Sequence, residues 1–289
     1  MIFSEERYFQ ANEIQNYNSF VWQSNDTDAS IKIPFAIMGQ EAISIPKAPY
    51  GGFVMQHLPN QTDTKSFLSS LSQYLTEKNV VSLQIKQNPD FFHTPSQNKL
   101  INSLFTQGFR KNTEINHHID LSNIQEEDIH PMQRRRIKKC QNAGFTYQKE
   151  SHTASAEIYD FLSQCRLQQG LSVNVSKSHF VRLLSQLADV YNMYTVRDST
   201  HRLLACTVTI TVTPEVTYNY LPAFDRYFAT YSPLAFLTDL LIRDLKKANA
   251  RFFDLGISSI DGTPQDSLIQ FKERMGGIRS ERDTYIIHV

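Results

Sequence analysis

The chain carries no net charge: its 289 residues hold 29 Lys plus Arg against 29 Asp plus Glu. A balanced chain has no bulk attraction for nucleic acid or anionic membrane, so any such contact must come from a local patch. Cysteine is scarce. Cys140, Cys165 and Cys206 are odd in number, far apart and without a C-x-x-C pair, which leaves a disulfide framework and a zinc knuckle unsupported. Long apolar runs are missing too. Stretches such as Pro233–Leu237 are far too short to cross a bilayer, and the start, MIFSEERYFQ, is acidic without an apolar signal core. The expectation is a cytoplasmic protein with no membrane span. HExxH, GxSxG and GxxxxGK[ST] are absent, which removes zincin, serine-hydrolase and P-loop chemistry. His117 and His118 are neighbours on a predicted strand and so point to opposite faces, a poor spacing for a metal.

What is present is the composition of a folded protein, long enough for two domains of ordinary size, 40% apolar and 20% charged, with 13 Tyr and 19 Phe. The first part reads as a mixed α/β unit. IKIPFAIMG, AISIPK and GGFVMQ are strand-like, and Ala48-Pro49-Tyr50-Gly51-Gly52 forms a turn between the last two. A helix opens at Asp63-Thr64, VVSLQIK is a strand, Thr94-Pro95 opens a second helix ending at Gly108, and FRKNTEINHHIDL is a strand. The segment Glu126–Ala143 predicts a strongly basic helix, again stopped by glycine. TQGF at Thr106 and NAGF at Asn142 therefore punctuate the two parts alike.

After helices at Ala154–Gln169 and Ser176–Asp189 come MYTVRD and RLLACTVTITV, joined by a polar turn. In the latter, Val208, Ile210 and Val212 alternate with Thr207, Thr209 and Thr211, which predicts an antiparallel strand buried on one face. VTYNYLPA runs back as a third strand. Ser232 then reads as an N-cap with Pro233 at the first helical position. Leu234, Leu237, Leu241 and Leu245 form the apolar stripe, with Asp239, Arg243, Lys246 and Lys247 facing elsewhere. RFFDLGI is a strand buried on both faces. Thr263-Pro264 open another helix, which stops at Gly276-Gly277, and DTYIIHV completes the sheet.

Three antiparallel strands, a helix and a parallel strand resemble the core of the GNAT acyltransferase fold. The details are similar to its FemAB-like branch: Tyr218-Asn219-Tyr220, Ala223-Phe224-Asp225, Ser232-Pro233, Phe253-Asp254-Leu255-Gly256, and Phe271-Lys272 ahead of Gly276-Gly277. The resemblance covers the second half well and the first half loosely. It implies an α/β protein of two tandem GNAT-like subdomains, residues 1–124 and 125–289, with the boundary between Leu121 and Pro131. It further implies transfer of an aminoacyl or acyl group to an amine on a small molecule or peptide. The alternatives are an acetyl-CoA-dependent N-acetyltransferase and a catalytically silent ligand-binding protein. No resident cofactor is expected, and the donor stays open between aminoacyl-tRNA and acyl-CoA.

Acyl transfer to an amine needs a polarised carbonyl, a proton acceptor and a site that holds both partners. Residues at the ends of VTYNYLPA and RFFDLGI would line such a site, which makes Tyr220, Asp225 and Asp254 candidates. The plain alternatives are a half-buried sheet tyrosine and an aspartate capping a loop. Lys272 sits among apolar neighbours, where burial would lower its pKa toward base chemistry. The resemblance implies a functional lysine there, an aromatic-Gly-Gly element at Tyr50, Gly51 and Gly52, and a cleft-flanking Arg-x-x-x-Gly met by Arg166 and Gly170. The Arg134–Lys139 run is a solvated face or a phosphate contact, with tRNA as one partner. The discriminating feature for a silent binding protein is whether Lys272 and Asp254 share one polar cleft.

Overall fold

The computed structural model describes residues 1–57, 59–105 and 108–289; Thr106 and Gln107 of the TQGF stop lie outside the described residues. The chain divides into two compact units. One comprises Phe3–Asn116, Ser259–Pro264 and Ser280–Val289; the other comprises Met1–Ile2, His117–Ser258 and Gln265–Arg279.

In the unit built on Phe3–Asn116, the strand Tyr17–Gln23 pairs antiparallel with Ser30–Met38, which pairs with the short strands Glu41–Ile43 and Val54–Gln56. Glu41–Ile43 runs parallel to Ser82–Lys86. The helix Gln61–Glu77 starts two residues earlier than expected, because Asn60 is the cap. Its Oδ1 accepts from Asp63 N–H at 2.8 Å, while Asp63 Oδ2 accepts from Asn60 N–H at 3.1 Å, a reciprocal box in which Asp63 lies inside the helix. Phe67, Leu71 and Leu75 press on Ile31, Ile33, Phe35, Leu83 and Ile85 as one core. The terminal strand, expected to complete the sheet, takes its place at this point. Within Ile278–His288, residues Thr284 to His288 pair with Lys86 back to Ser82, and Tyr285 is buried in this same core. Period-two patterning identifies a strand and leaves its partner open.

In the unit built on His117–Ser258, the strand order is Phe252–Ile257, Val216–Asn219, Leu203–Thr213, Tyr191–Arg197, Thr146–Glu150. All neighbours are antiparallel except Val216–Asn219 with Phe252–Ile257. Leu203–Thr213 is buried on both faces, Thr207 and Thr209 included, against the expectation of one exposed face. The Thr207 hydroxyl finds a partner inside the fold, donating to Asn219 Oδ1 at 2.6 Å. The basic segment is split: a short 3-10 turn covers Glu126–Asp128, and the helix is Pro131–Asn142, since the residue before a proline resists helical geometry.

Helix Pro233–Lys247 starts at the predicted proline, but Ser232 is not a side-chain cap. It sits in the left-handed region at φ 60° without a capping hydrogen bond. Asp239 is buried rather than turned to solvent, because helix Pro131–Asn142 packs on that side. Ala235, Phe236, Leu237 and Leu241 of the long helix join Ile137, Val196, Leu204 and Phe253 in a core. Thr263-Pro264 does not open a helix either: it pairs with Ser259–Ile260 as a small hairpin, and the helix is Asp266–Arg274.

Candidate active site

The third strand of the second unit breaks where the chemistry is expected. Its parallel register with the Phe252 strand runs Val216–Phe252, Thr217–Phe253, Tyr218–Asp254 among the described residues. Beyond Tyr218 the chain stays with Leu203–Thr213. Tyr220 and Leu221 both donate their N–H to Val208 O, and Ala223–Phe224 resume pairing at Cys206 and Ala205. Leu255, Gly256 and Ile257 continue the other strand past this parallel register.

The end of the Phe252 strand is held from several sides. Lys272 Nζ donates to Gly256 O at 2.7 Å and to Ile257 O at 2.8 Å, and the residue is buried. Asp254 Oδ1 accepts from Gly256 N–H at 2.9 Å. Ser258 O accepts from Gln265 N–H at 2.9 Å, and Ser258 Oγ lies 2.9 Å from His117 Nδ1. Gly256 has φ +76°, a backbone angle that favours glycine, and a Cβ there would press on the Tyr218 ring, 3.2 Å from its Oη.

Burial pushes the Lys272 ammonium down to about 7, opposed by the negative charge of Asp254. Lys272 and Asp254 are thus in electrostatic contact, and both are buried. Lys272 is a buried, doubly hydrogen-bonded amine rather than a solvated surface lysine. His117, set aside in the sequence as a poor metal ligand, is fully buried beside it. Its Nε2 is 3.7 Å from Glu273 Oε1, and burial together with the Lys272 charge pushes it down to about 4. Sequence spacing could not find it, because His117 and Lys272 lie far apart in the chain. Among the described residues no cluster of His, Cys, Asp or Glu has the makings of a metal site.

The remaining candidates fall in different surroundings. Tyr220 is half-buried, its ring 6.4 Å from Tyr218 and 6.3 Å from Tyr191, and burial raises its phenol, which keeps it protonated. Through Tyr218 it belongs to the aromatic layer that lies on Gly256. Asp225 is occupied by the fold. Its Oδ2 accepts from Arg202 at 2.7 Å, and its Oδ1 accepts from Tyr227 N–H at 3.1 Å and Gln168 Nε2 at 3.4 Å. Arg166 is half-buried on helix Ser155–Leu167, close enough for its charge to act on the buried thiols of Cys165 and Cys206. Tyr50, Gly51 and Gly52 lie in the other unit. There Tyr50 is buried edge-on to Phe3, and a Cβ on Gly51 or Gly52 would meet Ile45 Cγ1 or Gln87 Cδ at 2.8 Å. Close packing accounts for that glycine pair.

Comparison with known proteins bears on this arrangement. Residues 132–265 match the family described as an acetyltransferase (GNAT) domain. Among solved structures, FemX superposes with a TM-score of 0.73 at 11% identity, over 100% of this chain and 92% of its own. The C-terminal domain of a lysylphosphatidylglycerol synthetase from Agrobacterium fabrum, described as putative, gives 0.60 at 13% identity, covering 98% and 87%. A tandem GNAT protein from the clavulanic acid biosynthesis pathway gives 0.56 at 9%, covering 95% and 84%. No curated protein matches the sequence.

Proposed function

We propose that this chain, which matches a GNAT acetyltransferase domain over residues 132–265 and shares its fold with FemX, moves an aminoacyl or acyl group onto an amine acceptor, with Lys272 at the centre of the site. The observation that carries this reading is a buried lysine held at about 7 beside Asp254, where the parallel register of two strands ends. An amine with that pKa is present in both protonation states at neutral pH, which suits a group that accepts and returns a proton. In the reaction a C–N bond forms and the C–O or C–S bond to the donor breaks. The acceptor ammonium first releases one proton to become a free amine; the second proton, lost as the C–N bond forms, ends on the leaving oxygen or sulfur. Lys272 is assigned to that proton traffic, Asp254 to holding the Gly256 N–H and favouring the charged amine, and Tyr220 to donating its phenolic hydrogen toward developing negative charge.

Arg166 is assigned to the acceptor side as a half-buried cation. Asp225 acts through Arg202 and Tyr227, as a brace on the loop that precedes helix Pro233–Lys247. That loop, Phe224 to Ser232, contains no glycine. An acetyl-CoA site at a helix start needs backbone N–H groups that phosphates can approach closely, and side chains with Cβ atoms stand in the way. This observation favours aminoacyl transfer over acetyl-CoA-dependent acetylation.

Single-turnover assays of the purified chain with charged tRNA and with a series of acyl-CoAs, each with a mixture of amine acceptors, test the reading. New amide from at least one donor, abolished in Lys272→Met while the variant keeps its circular dichroism spectrum, is expected. Equal turnover by wild type and Lys272→Met would overturn it.

A further inference from the structure

The strand Tyr17–Gln23 pairs on one side with Ser30–Met38 and on the other side meets no strand among the described residues. Two hydrogen bonds that bracket the ladder fix which of its backbone groups are left over. Ser24 N–H donates to Ala29 O at 2.9 Å, and Ile37 N–H donates to Asn16 O at 3.2 Å. Along an antiparallel pair, residues that exchange both bonds with the partner alternate with residues that turn both groups away. The register Trp22–Ile31, Phe20–Ile33, Asn18–Phe35 continues that alternation, so Asn18, Phe20 and Trp22 point their backbone groups inward. Tyr17, Ser19, Val21 and Gln23 therefore turn theirs outward. The usual defences of such an edge are missing: the segment YNSFVWQ has no charge and no proline, and Val21 is 62% exposed. In the other unit, the last strand of the sheet, Thr146–Glu150, carries Lys149 and Glu150.

We propose that this edge pairs with the same strand of a second copy of the chain, antiparallel about a twofold axis, so that one sheet runs through both copies. Outward groups bond only where outward residues face each other. The centred register that meets this condition sets Tyr17 opposite Gln23 and Ser19 opposite Val21, and the axis repeats both pairs. Each facing pair exchanges two backbone hydrogen bonds. Phe20 then stands opposite its own counterpart at the axis, an aromatic pair of the kind antiparallel strands favour, with the Tyr74 ring 5.2 Å away. On the other face the two Val21 side chains lie one diagonal apart, about 7–8 Å. They extend the row Val21–Lys32–Val54, in which Val54 is also exposed. No like charges meet along the ladder, because the strand has none, and a chain without net charge does not repel its copy at long range. A second copy brings an uncharged strand whose length, register and symmetry already fit. The contact is small, so dissociation is expected in the micromolar range, about 1–100 μM. The pairing does not depend on acyl transfer and is read without turnover.

Sedimentation velocity of the full chain over a concentration series tests this, and monomer should give way to dimer as concentration rises. Ser19→Pro removes an outward N–H that the single chain does not use, as proline on an edge strand can. It deletes one bond at each of two symmetric places, so it should weaken the dimer about tenfold or more while the dilute protein melts with the wild type. Val21→Lys should also weaken it, without touching the backbone, by setting two ammonium groups one diagonal apart. Crosslinking reads the register. Cys140, Cys165 and Cys206 are all buried, so an added surface cysteine is the thiol that a short bismaleimide reaches. Val21→Cys should crosslink to a dimer. Gln23→Cys should not, because its two copies lie six residues apart, about 20 Å along the strands. A chain that stays monomeric throughout the series would overturn the proposal. So would a dimer that survives both Ser19→Pro and Val21→Lys, or Gln23→Cys crosslinking as readily as Val21→Cys. Capture of unrelated extended peptides by a monomeric chain would overturn it too, and would assign the edge to another protein.

Discussion

Lys272 and helix Pro131–Asn142 carry charge of the same sign in opposite surroundings. Lys272 is buried at 5% exposure with two backbone carbonyls on its ammonium, and its pKa drops to about 7. Arg134, Arg135 and Lys138 stand at an open groove. Burial turns one cation into a group that exchanges protons at neutral pH; exposure leaves several others as a field that reaches outward but changes little inside. One cation is tuned by burial and the others stay fully charged in the open.

The sharpest way to break this contrast is to remove the buried cation. Lys272→Met should lower turnover by about 10²–10⁴, the usual weight of a proton-transfer group. Lys272→Ala should also cost about 1–3 kcal/mol of stability, since the Gly256 and Ile257 carbonyls lose their donor. Read as a cleft-side exposed charge, the same residue would cost under about 0.5 kcal/mol. Thermal melting of the alanine variant separates the two, and a wild-type melting curve would contradict the buried geometry.

Next in size is Gly256→Ala. A non-glycine residue at φ +76° costs about 1–2 kcal/mol, and its Cβ would press on Tyr218. Denaturant titration should show that loss together with reduced turnover. An unchanged protein would mean that the Tyr218–Gly256 contact is dispensable.

A third effect is pH-dependent. Lys272 titrates near 7 when folded and near its ordinary 10.5 when unfolded, so between these values the unfolded chain binds the extra proton. Stability from this group therefore rises with pH from about 7 to about 10.5; it is lost as pH falls from 10.5 to about 7 and changes little below that. His117 and His118, both pushed down to about 4 by burial, act in the same direction lower down. Their contribution is present above 6.5 and lost as pH falls toward 4. Melting temperature measured from pH 4 to 10 should show both windows, and Lys272→Met should erase the upper one and narrow the lower one, because the Lys272 charge helps hold His117 down.

The smallest effect is expected at the open groove. Arg135→Gln should change folding stability by less than about 0.5 kcal/mol, with no effect on turnover of a small acceptor. A larger loss would show that the helix depends on its charge for packing. Titration calorimetry with acetyl-CoA adds a separate check: no binding in the low-micromolar range is expected from the glycine-free loop, and such binding would favour the acetyltransferase alternative.

Much of the second unit was legible in the sequence. The strands MYTVRD, RLLACTVTITV and RFFDLGI, the helix at Pro233 and the glycine stop after Lys272 all carry strong local signals in period and punctuation. Misreadings cluster where a distant element overrides a local one. Ser232 has the residue type of a cap but the backbone of a left-handed turn, and Asp239 reads as polar surface until another helix covers it. Thr263-Pro264 has the pattern of a helix start, yet its backbone pairs with Ser259–Ile260.

By itself the sequence determined which segments are strands and helices, where proline and glycine end them, and that Lys272 stands among apolar neighbours. These are local properties, set by side-chain period and backbone freedom within a few residues. Only the tertiary structure decided that the last strand pairs with Ser82–Lys86, that His117 lies beside Lys272, and that Asp225 is spoken for by Arg202. It also decided the character of each charge. The pKa of a lysine depends on how much water other parts of the chain remove from it, and no residue carries that information in its own neighbourhood.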